Sequence, residues 1–493
     1  MIAVIDDGIN TAHLNNISLK HDLSVEKNGT IRKRNSIDEP IITNHGTTCV
    51  AIICKYSLAT EFSSLRIFSD ESLKADCNML VSALIWCRDN KIPIVHMSVG
   101  STNLNDYHEI RQVIAEMISN RQIVISAHSN RNLYTMPACI GGVLGVATDE
   151  NMVDDEYAFV ELGNDNFHFI KASSLHEIAD PYGYKYVTPL SNSCAAPTIT
   201  AYVHNILSKH KPFSLNIAQI YTLLGAKSGF SSFVKPDFIH NAYVINPHGY
   251  SVSERHFFFK CIRQYQSVEE YIALSQLNDK EHGTHSIVFL ANKSDYGSCE
   301  KELLCLLPLQ KSVESLLFAG KLPVMSDFCK SYFDDELIMW SEENIAYGGD
   351  ISPKLEHCSC PIIYVYGRGI KVLELICELR NMFTKDEYQC VGVCDHRFSY
   401  LYGLEYIPDN AHKEDLVLRR IDEIYEPDII IFCSENSKLP SDPHPEDFYI
   451  VWNEEFAGDT PFELNKNIMK ITDQFTDVKD FIDIYNVLLE SLS

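Results

Sequence analysis

Asp6, His45 and Ser193 are an acid, an imidazole and a hydroxyl, each standing at the edge of an apolar run. Asp6 closes "IAVID" and is followed by Asp7 and Gly8; His45 opens "HGTTCVA"; Ser193 opens "SCAAP", ahead of a helix-like stretch. Together they could do nucleophilic chemistry. A hydroxyl is a poor nucleophile until a base takes its proton, and the base needs an acid to fix its tautomer and steady its charged form. Asp, His, Ser is one of the chain orders in which such a triad occurs. A plainer reading stands beside it: a serine before an apolar helical run is the usual N-cap.

The elements around these residues must bring them together. "IAVID" (2–6) reads as a buried parallel strand that stops at a loop, and "SSLRIF" (63–68), "IPIVHMSVG" (92–100), "QIVISAHSN" (122–130) and "GGVLGVAT" (141–148) read as further strands. Residues 77–90 and 106–120 have helical periodicity. The alternation predicts an α/β fold, a mostly parallel sheet covered by helices. In open sheets of this kind, side chains at the carboxyl ends of strands face the ligand crevice.

"VIDDG", "HGTTCVA" and "SCAAP" resemble the signature blocks of subtilisin-like serine proteases, the subtilases, and three further segments agree in order. "ISAHSN" resembles the strand end carrying the family's oxyanion asparagine, here Asn130. "HMSVG" resembles the strand that pairs with extended substrate backbone, here Ser98, Val99 and Gly100. "YTMPA" resembles the segment beside the substrate pocket, with Pro137 preceded by a cis peptide bond. The resemblance covers residues 1–245 and implies a subtilisin-like fold with Asp6, His45 and Ser193 as catalytic residues. It departs from the family at Ser191 and Asn192, where Gly-Thr is usual, and at Ser129, where Gly is common. "DDG" resembles the kexin and furin branch, which would give Asp7 a part in selecting basic residues near the cleavage site; the alternative is a solvated loop acid. His96 reads as a partly buried histidine, and Cys194 as a small apolar residue packed in the helix. No calcium ligand set matches, and neither a metal nor a cofactor is expected.

The pattern breaks at "NPHGYSVSE", so residues 246–256 read as a linker. Beyond it, residues 257–493 resume a strand–helix rhythm at 285–291, 361–367, 370–383, 388–394, 427–433 and 447–453, which predicts a second, Rossmann-like α/β domain. "YGRGIKVLE" lacks the phosphate-loop spacing, so a degenerate nucleotide-fold module used for binding is the better reading. Cys358, Cys360, Cys390, Cys394 and His396 match no common zinc spacing and read as core and surface thiols.

Charge separates the halves. Residues 1–250 hold 24 acids against 19 Lys and Arg, and residues 251–493 hold 43 against 22, within a chain of net charge −26. Nucleic-acid binding, which needs a basic face, is not expected. A basic peptide partner fits, as does a merely soluble surface. No apolar run reaches membrane-spanning length, and the first residues do not read as a secretory signal. The 16 scattered cysteines fit reduced thiols in a cytosol. The expectation is therefore an intracellular serine endopeptidase. Its first catalytic strand begins at residue 2, which suggests narrow specificity. The resemblance extends to proteases that remove leader segments from ribosomally made, modified peptides. The alternatives are a general intracellular protease and a peptide-binding pseudoprotease scaffold.

Overall fold

The computed structural model describes residues 1–14, 16–34, 44–68, 74–160, 170–179, 184–225, 235–278, 285–290, 313–319, 338–341, 357–407, 414–434, 447–452, 468–471 and 478–492. The first sheet has nine strands: β1 (Ile2–Asp6), β2 (Ser18–Val25), β3 (Ile31–Lys33), β4 (Glu61–Arg66), β5 (Ile94–Met97), β6 (Ile123–Ala127), β7 (Leu144–Thr148), β8 (Tyr157–Phe159) and β9 (Ile170–Ala172). They lie in the order β3-β2-β4-β1-β5-β6-β7-β9-β8. Only the edge pairs β2–β3 and β8–β9 run antiparallel. The five strands expected in this half are all present. The other four, β2, β3, β8 and β9, lie toward the two edges of the sheet; β2, β3 and β8 are largely half-exposed or exposed and β9 is only three residues long, which hides them from a search for long buried apolar runs.

Helices α1 (His45–Tyr56), α2 (Cys77–Asp89), α3 (Tyr107–Ser119), α4 (Asn192–Leu207) and α5 (Ile217–Leu223) cover the sheet. In α3, Ile110, Val113, Ile114, Met117 and Ile118 repeat at three- and four-residue spacing and are buried. Central β1 is buried along its whole length, so its carboxyl end delivers Asp6 to a rigid place. Residues 98–100 and 128–130 follow the neighbouring strands β5 and β6, on the same side of the sheet. A short antiparallel pair, β10 (Glu177–Ala179) and β11 (Lys185–Val187), precedes α4.

Among the described residues, the second half holds two parallel sheets. Strands β12 (Asn241–Ile245), β13 (Lys260–Tyr265), β14 (His285–Leu290), β15 (Val313–Ala319) and β16 (Ile338–Ser341) form the first. Strands β17 (Ile362–Tyr366), β18 (Cys390–Cys394), β19 (Glu405–Tyr406), β20 (Ile429–Cys433), β21 (Phe448–Trp452) and β22 (Ile468–Ile471) form the second. β12, assigned from sequence to the end of the first half, pairs with both β13 and β14, so 246–256 joins two strands of one sheet. One continuous cluster of buried apolar residues runs from Ile2 through Val244 and Ile363 to Leu488, so the halves share a core. Among the described residues, no helix is long and apolar enough to cross a membrane.

Candidate active site

Strand β1 and helix α1 bring the first two residues together. His45 Nδ1 lies 2.9 Å from both carboxylate oxygens of Asp6. Asp6 is buried, and the His45 side chain is 38% exposed, so the imidazole has one sheltered edge and one open edge. With Nδ1–H donating to Asp6, Nε2 is left as the basic nitrogen. Burial lowers the His45 pKa, but the charge and hydrogen bond of Asp6, aided by Asp7, outweigh it and leave it above the ordinary histidine value. Burial raises the Asp6 pKa above the usual carboxylate value, with His45 pulling the other way.

Asp7 turns inward. It is 1% exposed, and its two oxygens accept the backbone N–H groups of His45 (3.0 Å) and Gly46 (2.7 Å). These belong to the first turn of α1, where N–H groups lack partners within the helix. Asn44, the residue before α1, makes no side-chain cap bond, so Asp7 supplies the cap from another strand end. The carboxylate thereby fixes the helix that carries His45 and is not a solvated loop acid. Gly46 is needed for the same close approach: a Cβ there would lie 2.5 Å from the Gly8 carbonyl oxygen and 3.1 Å from Asp6 Cβ.

Ser193 occupies the first turn of the 16-residue α4. Its hydroxyl is 3.0 Å from the Ser191 hydroxyl, its hydrogen-bond partner here in place of His45. Its carbonyl accepts the Ser98 hydroxyl (3.2 Å) and lies 3.8 Å from Cys49 Sγ. Ser98, expected in the substrate-pairing strand, thus turns its side chain inward to hold the Ser193 backbone. His96 behind it is fully buried between Thr200 Oγ1 (2.8 Å) and Ser98 Oγ (3.3 Å), and burial pushes its pKa down to about 3. Cys194 is buried as read from sequence.

Asn130 is exposed, and its carboxamide oxygen accepts the Asn192 backbone N–H at 3.1 Å. Only the oxygen can accept from an N–H, so the Asn130 NH2 is the group left free to donate elsewhere. Val99 is half-buried and Gly100 exposed, followed by a two-bond antiparallel bridge between Ser101 and Met136 (2.8 Å each). Gly100 has no room for a side chain: a Cβ would lie 2.7 Å from the Met136 carbonyl oxygen. The Met136–Pro137 peptide is cis, as expected. Pro137 itself is buried.

Asp6, His45 and Cys49 place potential ligand atoms within 4.8 Å of one another. Burial holds the Cys49 thiol well above its ordinary pKa, and it already contacts Ser98 Oγ at 3.6 Å, so the set reads as an acid–imidazole pair with a neutral thiol behind it. Cys390 and Cys394 are buried within β18, and Cys358 and Cys360 are half-buried against the shared core.

The second half reaches this site through the loop after Asn130. Arg131 pairs with both carboxylate oxygens of Glu426 (2.7 and 2.9 Å), and the Tyr134 N–H donates to the Ile424 carbonyl (2.8 Å). Tyr134 also packs on Tyr425, ring centres 4.9 Å apart. A cavity of about 330 Å³ lies between the halves, lined by Arg111, Lys235 and Arg380 among others and by no triad residue. Arg111 donates to the carbonyls of Asp237 and Ile239, Arg380 to those of Tyr402 and Gly403, and Lys235 pairs with Glu405. Their commitments make this space part of the interface and not a second centre of chemistry.

No known family profile matches the chain, and no curated protein matches its sequence. Among solved structures it is similar to subtilisin-like proteases. One is a cold adapted subtilisin-like serine proteinase (18% identity, 45% of this chain and 80% of that one, TM-score 0.32). Another is the prenylagaramide maturation protease PagA (19% identity, 43% and 78%, TM-score 0.33). A third is the epidermin leader peptide processing serine protease EpiP of Staphylococcus aureus (16% identity, 46% and 76%, TM-score 0.31).

Proposed function

We propose that the chain is a serine endopeptidase. The observation that carries this reading is the buried Asp6 carboxylate on His45 Nδ1, with Nε2 left open and Ser193 at the start of α4. His45 Nε2 takes the proton of Ser193 as its oxygen attacks the scissile carbonyl. The resulting oxyanion is met by the Asn130 NH2 and by the Ser193 N–H, which lies in the first turn of α4 at the positive end of the helix dipole. His45 then gives its proton to the leaving amine, and water releases the acyl group from Ser193. The Ser193 hydroxyl must turn from Ser191 to His45 before attack. Covalent labelling by a fluorophosphonate, lost in Ser193→Ala, tests the reading. Labelling that persists in that variant would place the nucleophile elsewhere, and an unlabelled wild-type protein would favour a peptide-binding scaffold.

For the substrate, we propose precursor peptides from which a leader segment is removed. The support is the second half: it grips the loop after Asn130 through Ile424 and Glu426, and residues 251–493 carry 43 acids against 22 Lys and Arg. Such a surface raises the encounter rate with a basic segment and loses that advantage in salt. Steady digestion of unfolded casein at a rate comparable with a basic precursor would instead mark a general protease.

A further inference from the structure

The residue before the nucleophile makes more hydrogen bonds than an N-terminal helical position requires. Asn192 is 5% exposed. Its side-chain oxygen accepts the Thr148 N–H at the end of β7 (2.8 Å). Its side-chain NH2 donates to the carbonyls of His128 and Ser129, 3.0 Å each. Its own N–H donates to Asn130 Oδ1. Every polar group of this side chain is thus spent on β7 and on the two residues immediately before Asn130. A threonine hydroxyl has one proton to donate and cannot bind two carbonyls and an N–H at once.

We infer that Asn192 is a positioning residue for the oxyanion hole: it ties the strand end bearing Asn130 to the helix start bearing Ser193 and orients the Asn130 amide with its NH2 outward. The inference rests on the serine-peptidase reading for its kinetic consequence, but not for the geometry. Oxyanion donors act only when held at the place where charge develops, so a loosened Asn130 costs rate and leaves ground-state binding intact. Asn192 reaches no reacting atom; its effect passes through Asn130.

A double-mutant cycle decides this. Asn130→Ala should slow fluorophosphonate labelling of Ser193 by about 10²–10³-fold, the range for loss of one oxyanion donor. Asn192→Ala should slow it about 10–100-fold, and the double variant should be no slower than Asn130→Ala alone, because the second loss removes a support whose load is already gone. On a cleaved peptide, kcat should fall with KM unchanged. Multiplying losses in the double variant, or an Asn192→Ala rate equal to wild type, would overturn the inference. If Asn192→Ala does not fold, Asn192→Asp keeps the acceptor for Thr148 and removes both donors, and the same pattern is expected. Should the wild-type protein fail to label at all, the peptidase reading falls, and a crystal structure of Asn192→Asp still judges the clamp. An Asn130 side chain displaced from the Asn192 N–H supports it, and one left in place refutes it.

Discussion

The hydroxyls of Ser191 and Ser193, two positions apart where the chain enters α4, are 3.0 Å from each other. Ser191 is in extended backbone and makes no side-chain cap bond to the helix; its hydroxyl meets that of Ser193 instead. A neutral hydrogen bond has a net worth of about 0.5–1.5 kcal/mol, or about 2–10-fold in a rate that requires breaking it. Ser191→Ala should therefore speed fluorophosphonate labelling by that factor. A slower variant would mean that Ser191 assists Ser193 and does not detain it.

The pH profile of labelling follows from His45. Its pKa stands above the ordinary histidine value of about 6.5, and the base must be neutral to accept a proton. The rate should therefore fall as pH drops through a midpoint above that value. Asp6→Asn removes the largest raising influence, so its residual activity should persist to lower pH. A midpoint that does not move in this variant would disconnect the titration from His45.

Asp7→Ala removes the cap of α1 and leaves the His45 and Gly46 N–H groups without their carboxylate. A lost cap costs about 1–2 kcal/mol, which should appear as a lower midpoint in denaturant. Activity should drop with α1's position, while preference among basic and neutral peptides should not change. A selective loss of cleavage beside basic residues would restore a direct role for Asp7 in specificity.

Gly46→Ala forces a Cβ to 2.5 Å from the Gly8 carbonyl oxygen, which only a shift of α1 or of the strand end can relieve. Either shift stretches the 2.9 Å contacts of His45 with Asp6. Labelling should fall by at least 10²-fold, because misplacement of about 1 Å in catalytic geometry costs that much. Retained rates would show that the first turn of α1 can be accommodated without disturbing the pair.

A chain cut after Ile245 would keep β12 but lose both its partners, and would expose the core that Val244 and Ile2 share with Ile363 and Leu488. It should be insoluble or unreactive toward fluorophosphonate. Soluble, fully reactive protein would show that the first half folds alone and that the second half serves recruitment only. The exposed Arg131–Glu426 pair by itself should matter little: such pairs contribute about 0.2–1 kcal/mol, so Glu426→Ala should leave the labelling rate within a few-fold of wild type.

Short-range pattern was enough for the elements that are buried and regular. The apolar run ending at Asp6, the helix periodicity of 107–119, and the order of Asp6, His45, Asn130 and Ser193 all lie within reach of local spacing, because a buried parallel strand is apolar throughout and an amphipathic helix repeats its buried face. The resemblance of "YTMPA" to a subtilase segment located the cis peptide at Pro137, a bond that only proline makes inexpensive. The sequence could not tell which carboxylate of "DDG" turns inward: Asp6 meets His45 from a strand end, and Asp7 caps α1 across a gap of 38 residues to His45. Nor could it place β12, whose apolar run suits a strand in either half until β13 and β14 arrive to pair with it. Asn192 read locally as a departure from Gly-Thr; its four hydrogen bonds lead to β7 and to residues 128–130, 44 to 64 positions away. Hydrogen bonds carry no mark of sequence distance. Which donor meets which acceptor was decided only when β6, β7 and α4 came to lie side by side.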